Sequence, residues 1–482
     1  MDERIRTDAR VAALLVAALE GTLTEQQAEQ LAAIDDALGK LAWLAAAKRI
    51  AELQARLDGP PKIDPATPSG QRPIYTKPSA PKRKRKPGAK PGHAPARRPT
   101  PQRIDERQEH RLPCCPHCGG QLQRCNRKRT RTTEDLMENL KAIITEHTIH
   151  RDYCPHCRKH VEPVVPDALP NATIGNRAIV LTSWLHYGLG LSIEQVRELL
   201  GCQFQTHLSA GGLVAAWTRL ATILEPWYVQ IAQEAKASAV LHADETGWRM
   251  NGLTWWLWCF ANRAVCYYLL DPSRGWAALE KFFAEAFEGV LVTDFWSPYD
   301  AFATERQCCL AHLLRELEKV DLANSSAEWK AFAKKLRRLV RDGIRLRKRA
   351  DFDPRRYGRL IRRIDHRLME MARGNYGDAD ARRLATRLLK HCDDLFTFLD
   401  YPEVPFDNNL AERMIRPAVI LRKNSQSNRS ERGAAVQAVL MSVYRTLKLR
   451  GRDPLAAIDS ALRVYLTTGH LPPLPIQFVA DG

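Results

Sequence analysis

No apolar stretch in the 482 residues approaches the roughly 20 needed to cross a bilayer. The longest near the N-terminus, VAALLVAAL (11–19), follows Asp2, Glu3 and Asp8 and runs into Glu20. Those acids make the wrong flank for a signal peptide, so the stretch reads as a helix. A disulfide framework is missing too. Four of the twelve cysteines form two CPHC knuckles, and Cys202, Cys259, Cys266 and Cys392 are scattered in apolar context. That usage fits a reducing compartment with a metal site, and the chain is expected to be cytoplasmic. Acid is short: 55 Asp and Glu stand against 73 Lys and Arg, a net charge of +18. Such a surplus favours polyanionic partners, nucleic acid before membrane.

The length suggests roughly three domains. Residues 1–58 read as helical. Thr24 and Gln27 make a capping-box pair ahead of Leu31, Ile34, Leu38, Leu41, Leu44, Ile50, Leu53 and Leu57, a spacing that suits a helix packed on its own protein or a short coiled coil between protomers. Residues 59–103 hold 12 prolines and 12 Lys or Arg against one acid, Asp64. This linker cannot bury a core. Its run Lys82, Arg83, Lys84, Arg85 and Lys86 is a phosphate-binding arm that gains counterion release without folding.

Residues 104–165 carry Cys115-Pro-His-Cys118 and Cys154-Pro-His-Cys157, separated by 35 residues that include the strand formers of 142–150. Four thiolates satisfy a tetrahedral Zn²⁺ and close it to substrate, so Cys115, Cys118, Cys154 and Cys157 predict a structural zinc ribbon. Cys114, His117, Cys125 and His156 are alternative ligands. Residues 166–235 read as helices. Ser192 and Gln195 form a capping box, and a second helix begins near Ser209, which suits either a helix-turn-helix or a plain helical pair.

From 236 the elements change. Strands are expected at 237–244, 254–261 and 264–270, the last two turning at Asn262-Arg263. A helix over 273–287, a strand at 289–295 and a strand at 307–313 running into a helix complete the order of an RNase H-like α/β domain. Asp244 and Asp294 end two of these strands. A third acid is available where Asp407 can start a helix and Glu412 lies one turn in, followed by Arg413, Arg416, Arg422 and Lys423. Three gathered carboxylates repel one another without a cation. Phosphodiester cleavage needs an attacking oxygen activated and a leaving oxyanion stabilised, which two Mg²⁺ (or Mn²⁺) ions about 4 Å apart can do. The following cations would hold DNA phosphates. Residues 327–391 add 21 Lys or Arg against eight acids, a further DNA-facing surplus.

KPGAKPGHAPARR (86–98), the two CPHC knuckles, LHADET (241–246), LVTDFWSPYDAF (291–302), CLAHLLREL (309–317), DNNLAERMIRP (407–417) and RKN (422–424) together resemble the transposases of the insertion sequence 66 family. The resemblance implies a DDE transposase. Asp244, Asp294 and Glu412 would be its catalytic acids, with Asp244 preferred to Glu245. It makes 315–402 a basic helical insertion splitting the core into 236–314 and 403–450, with 451–482 a C-terminal helical tail. It places His312 as a neighbour of the site, alongside the alternative of a packed strand-end histidine. It also implies terminal inverted repeats and target DNA as partners, a homodimer or larger assembly, accessory proteins of the same element, and a bacterial, nucleoid-associated setting. The expected fold is thus a multidomain α/β plus α chain, an RNase H-like core preceded by a zinc ribbon and an N-terminal helix. A nuclease or resolvase without strand transfer, or a non-catalytic DNA-binding regulator, are the competing readings.

Overall fold

The computed structural model describes residues 141–349, 353–425 and 428–476, with positions 26, 104, 107, 114, 116–121 and 130. The N-terminal region, position 26 apart, the linker with Lys82 to Lys86, and Cys115 and Cys125 lie outside the described residues. Among the described residues the protein is a mixed α/β structure with eleven α-helices, a five-stranded mixed sheet and a separate two-stranded ribbon.

The ribbon pairs β1 (Asp152–Cys154) with β2 (Lys159–Val161) in antiparallel register, Tyr153 opposite His160. The second CPHC knuckle is its turn, closed by Arg158 at φ 53°. The strand-forming run 142–150 makes no strand, and Ile143 and Ile144 are exposed. β-propensity needs a partner ladder to act on, and none forms there among the described residues.

Three helices precede the large sheet: α1 (Asn176–Ser183), extended by a π-helical turn at Trp184–Gly188, α2 (Ile193–Phe204) and α3 (Ala210–Lys236). The capping box at Ser192 and Gln195 forms in both directions, and the Ser209 hydroxyl accepts from Gly212 N–H at 3.0 Å. Leu213, Trp217, Leu220, Leu224, Trp227 and Ile231 recur at helical spacing and are buried, so α3 presents one continuous stripe to the core.

The sheet order is β5-β4-β3-β6-β7. β3 (Val240–Met250) pairs antiparallel with β4 (Leu253–Ala261), and β4 antiparallel with β5 (Cys266–Asp271). β6 (Phe287–Thr293) lies parallel to β3, and β7 (Ala303–Cys308) parallel to β6. β3 therefore does not stop at Asp244, as its sequence suggested. It continues to a two-residue hairpin at Asn251-Gly252, where φ is 47° and 80°, the double positive φ of a type I′ turn. The β4–β5 turn falls as expected, closed by Asn262 Oδ1 accepting from Ala264 and Val265 N–H, both at 2.8 Å. Between β5 and β6 stands α4 (Trp276–Phe283), shorter than its periodicity because Ala284 takes φ 60° and ends it. Gly289 lets β6 start hard against β3: a Cβ there would lie 2.5 Å from the Ser238 carbonyl oxygen.

The expected strand 307–313 is also corrected. β7 ends at Cys308 and α5 (Leu310–Ala323) begins at once, so His312 lies in a first helical turn. α6 (Ala327–Arg347), α7 (Pro354–Ala372) and α8 (Ala379–Lys390) follow. They close a second core around Trp329, Phe332, Leu336, Leu339, Leu384 and Leu388, continuous with Val290, Val292 and Cys308 of the sheet. Where the chain leaves and rejoins the sheet, Cys308 N–H donates to Asp394 O at 2.8 Å and Leu310 N–H to Phe406 O at 2.9 Å. α9 (Asn409–Ser425) then packs on β3 and β4, α10 (Glu431–Leu449) on α3 and β5, and α11 (Pro454–Thr468) on α1. No described helix is long and apolar enough to cross a membrane.

Candidate active site

The parallel pairing of β3 with β6 covers only Val240–His242 against Val290–Val292. Asp244 stands just past that pairing, and Asp294 follows the last residue of β6. Two carboxylates thus emerge at the same end of two neighbouring parallel strands. Each is oriented by main chain: Glu245 N–H donates to Asp244 Oδ1 at 3.0 Å, and Trp296 N–H to Asp294 Oδ1 at 2.9 Å.

Glu412 comes from the first turn of α9. A residue that sequence reasoning passed over brings that turn to the sheet. Asn408 is buried; its Nδ2 donates to Ala243 O at 2.8 Å, its Oδ1 lies 2.9 Å from His242 Nδ1, and its N–H reaches Cys309 Sγ at 3.1 Å. The start of α9 is therefore stapled to β3 one residue before Asp244. Asp407 Oδ1 accepts from Asn409 N–H at 3.2 Å, at the helix start where it was expected. The signal for Asn408 was an amide among acids and apolar residues in PFDNN, where a buried polar side chain has to be bonded.

Electrostatics tie the three acids together. The Asp244 carboxyl is pushed well above its usual range, first by burial, then by Glu245, Asp294 and Glu412. Glu245 is pushed up to about 7, first by burial and then by Asp294, against the opposing pull of Arg274 and Tyr299. Arg315 holds Glu412 from α5 by two bonds, 3.0 and 3.2 Å. His312 Nε2 lies 3.6 Å from Glu412 Oε1, too far for a hydrogen bond, and neither of its buried ring nitrogens has a partner. Burial holds its pKa down against the raising fields of Asp294 and Glu412. The imidazole thus stands without hydrogen-bond partners beside the Glu412 carboxylate.

Of the cations that follow Glu412, Arg413, Arg416 and Lys423 are exposed, whereas Arg422 turns inward and donates to the Gly247 carbonyl of β3. Further away, α6 and α7 enclose a surface groove of about 310 Å³ lined by Arg345, Arg349, Arg363 and Arg367, with Asp342 as its acid. At the knuckle, the Cys154 thiol is held below its usual pKa by the Cys157 N–H, the Cys157 side chain and the His156 N–H, as a thiolate ligand requires. Of the four expected zinc ligands, Cys118, Cys154 and Cys157 are described. Among the described residues, the three ligand-type side chains whose atoms lie within 4.8 Å of one another are Cys308, His391 and Asp394, not the three acids, and a guanidinium already fills that group. Arg306 Nη2 reaches Cys308 Sγ at 3.1 Å and His391 Nδ1 at 3.2 Å, and its Nε lies 3.6 Å from Asp394 Oδ2. Burial pushes the Cys308 thiol up to about 12, so this cluster is an arginine-centred strut.

The profile described as Transposase IS66 family matches residues 172–436, over half of the chain. The chain belongs to the IS66 family of transposases. Membership carries a transposase role with DNA as partner. The matched region runs from before α1 into α10 of this IS66 protein and contains Asp244, Asp294 and Glu412, while both CPHC knuckles precede it. Three Sinorhizobium fredii proteins are similar. Uncharacterized protein y4jD is 24% identical over 384 residues, covering 72% of this chain and 74% of that protein. Uncharacterized protein y4hP is 23% identical over 422 residues, 76% and 74% of the two chains. Uncharacterized protein y4qI is 26% identical over 233 residues, 43% of each.

Proposed function

We propose that this IS66 protein is a DDE transposase built on an RNase H-like core, with Asp244, Asp294 and Glu412 as its catalytic acids. The strand order, three antiparallel then two parallel, supports that core. The observation that carries the reading is the convergence of three acids distant in sequence: Asp244 and Asp294 leave the same end of two neighbouring parallel strands, and Asn408 staples to β3 the helix whose first turn carries Glu412. Such a cluster ionises fully only with a counter-cation. Bound Mg²⁺ or Mn²⁺ would supply activation of the attacking oxygen and neutralisation of the leaving one.

The residues divide the remaining work. The Glu245 and Trp296 amides aim two carboxylates, Asn408 fixes the helix that brings the third, and Arg315 keeps Glu412 in one rotamer. In the first step water oxygen attacks phosphorus at the element's end and the bond to the 3′ oxygen breaks, freeing a 3′-OH. In the second, that 3′ oxygen attacks a target phosphodiester and a target 3′ oxygen leaves. Arg413, Arg416, Lys423 and the arginine groove between α6 and α7 are suited to DNA phosphates. The CPHC region, as a structural zinc ribbon, the α2–α3 pair and the basic linker would recognise terminal inverted repeats. Joining two ends calls for a dimer or larger assembly, with accessory proteins of the element, in the bacterial cytoplasm at the nucleoid.

The test uses Mg²⁺, a labelled duplex ending in the element's terminal repeat, and plasmid target. Wild type should give joined product, and Asp244→Asn none. Cleavage without joining would favour a nuclease. Equal cleavage by Asp244→Asn would sink the three-acid site.

A further inference from the structure

Asp244 is not the only acid of LHADET that the fold uses. Glu245, with its side chain 3% exposed, receives Arg274 Nε at 3.2 Å and Nη2 at 3.1 Å on Oε1, while Tyr299 O–H donates to Oε2 at 2.8 Å. The guanidinium of Arg274 lies 4.5 Å from the Trp256 ring centre and 4.2 Å from that of Trp296. The guanidinium is thus held against two indoles, and Trp296 Nε1 also donates to Arg274 O at 3.3 Å. Yet the side chain is 41% exposed, and its Nη1 makes no hydrogen bond among the described residues. A strut tying Glu245 down would need neither the open edge nor the two rings.

We infer that Arg274 is a preorganised phosphate-binding residue that holds a DNA phosphodiester beside the scissile one, with Glu245 as the residue that positions it. The inference rests on the transposase reading. Two indoles against the guanidinium compete with a base for its faces, whereas its free edge is open to an anion, and the planar fork matches phosphate oxygens. The location follows from Trp296, whose ring lies against Arg274 and whose main-chain N–H donates to Asp294 Oδ1. An acid cluster repels the DNA strand that it must cut, and a fixed guanidinium at its edge offsets that repulsion without losing rotamer freedom on binding. Arg274 is therefore chemically distinct from the exposed cations of α9, whose heads must be ordered by DNA.

The test scans single methylphosphonate linkages, which are uncharged, across the phosphates flanking the cut in a terminal-repeat duplex. Dissociation constants are measured in an Asp244→Asn background so that the DNA stays intact. With Arg274 present, one or two positions should weaken binding by about 10- to 100-fold. With Arg274→Ala those same positions should lose their effect while the others keep theirs. Arg274→Lys retains the charge and stem but not the fork, and should not restore the sensitivity. If no flanking position matters to the Arg274 protein, or the losses are additive with Arg274→Ala, the inference is wrong; the first result needs no folded variant. Cleavage and joining by the Asp244 protein are assayed alongside. A chain that joins DNA but gives an additive scan refutes the role of Arg274 alone. A chain that never cuts removes the proposed function and this inference together.

Discussion

Replacing Asn408 with alanine deletes two buried hydrogen bonds and leaves their partners, the Ala243 carbonyl and His242 Nδ1, without the amide that faced them. The neighbouring bond from Asn408 N–H to Cys309 Sγ is main-chain and survives. Each buried group abandoned in this way costs about 1–3 kcal/mol, so Asn408→Ala, which abandons both, should lose about 2–6 kcal/mol of stability. The catalytic effect is separate. Glu412 lies one turn beyond Asn408, its N–H bonded to Asn408 O at 3.2 Å. A shift of about 1 Å in a catalytic group can cost about 100-fold in rate. Urea unfolding measures the first effect, and single-turnover cleavage under conditions where the variant stays folded measures the second. Asn408→Asp is the sharper companion. It can still accept from His242, but it sets a carboxylate oxygen against the Ala243 carbonyl, so it should rescue neither quantity. A loss below about 0.5 kcal/mol with unchanged cleavage would refute the staple.

Two further outcomes follow from the site and the knuckle. Glu245 holds its proton to about 7 in the folded chain against an ordinary 4.5. Its contribution is therefore intact below pH 4.5 and is lost as pH rises to 7, because only the unfolded chain releases the proton in that window. In chelator, wild type should fall by about 3 kcal/mol relative to Glu245→Gln across this range; a flat difference in urea midpoints would show that Glu245 ionises freely. For the knuckle, metal analysis of purified protein should find about one zinc per chain, with Cys157→Ser retaining under about a tenth of it. Equal zinc in the two proteins would remove Cys157 from the ligand set.

Much of the fold was legible because local signals agreed with one another. The apolar runs of 254–261 and 264–270 flank an Asn that closes its own turn, and the Ser192–Gln195 box forms as its spacing implied. The full length of β3 was harder to read. HADETGWRM alternates poorly because almost all of it is buried, and the decisive clue lay beyond it in Asn251-Gly252, the dipeptide of a type I′ hairpin. Periodicity overran α4 because nothing in EKFFAEAF announces that Ala284 will adopt a positive φ. At the site, the acids could be singled out by chemistry, but the parts that aim them could not. Asn408, Arg315, Arg274 and Tyr299 act across long sequence separations, and spacing carries no record of such pairings.

The chain leaves the sheet after β7 and returns at Phe406 to a point it has already bonded, having built α5 to α8 and their core in between. This order has a meaning during synthesis. At about 5–20 residues per second, Glu412 follows Asp244 off the ribosome by on the order of 10–30 s. Once Asp294 has followed Asp244, the sheet carries two acids without the third until the helix that supplies Glu412 is made. On the proposed reading, a nascent or truncated chain would lack its third acid, and its chemistry would be armed only once the insertion has been translated and folded.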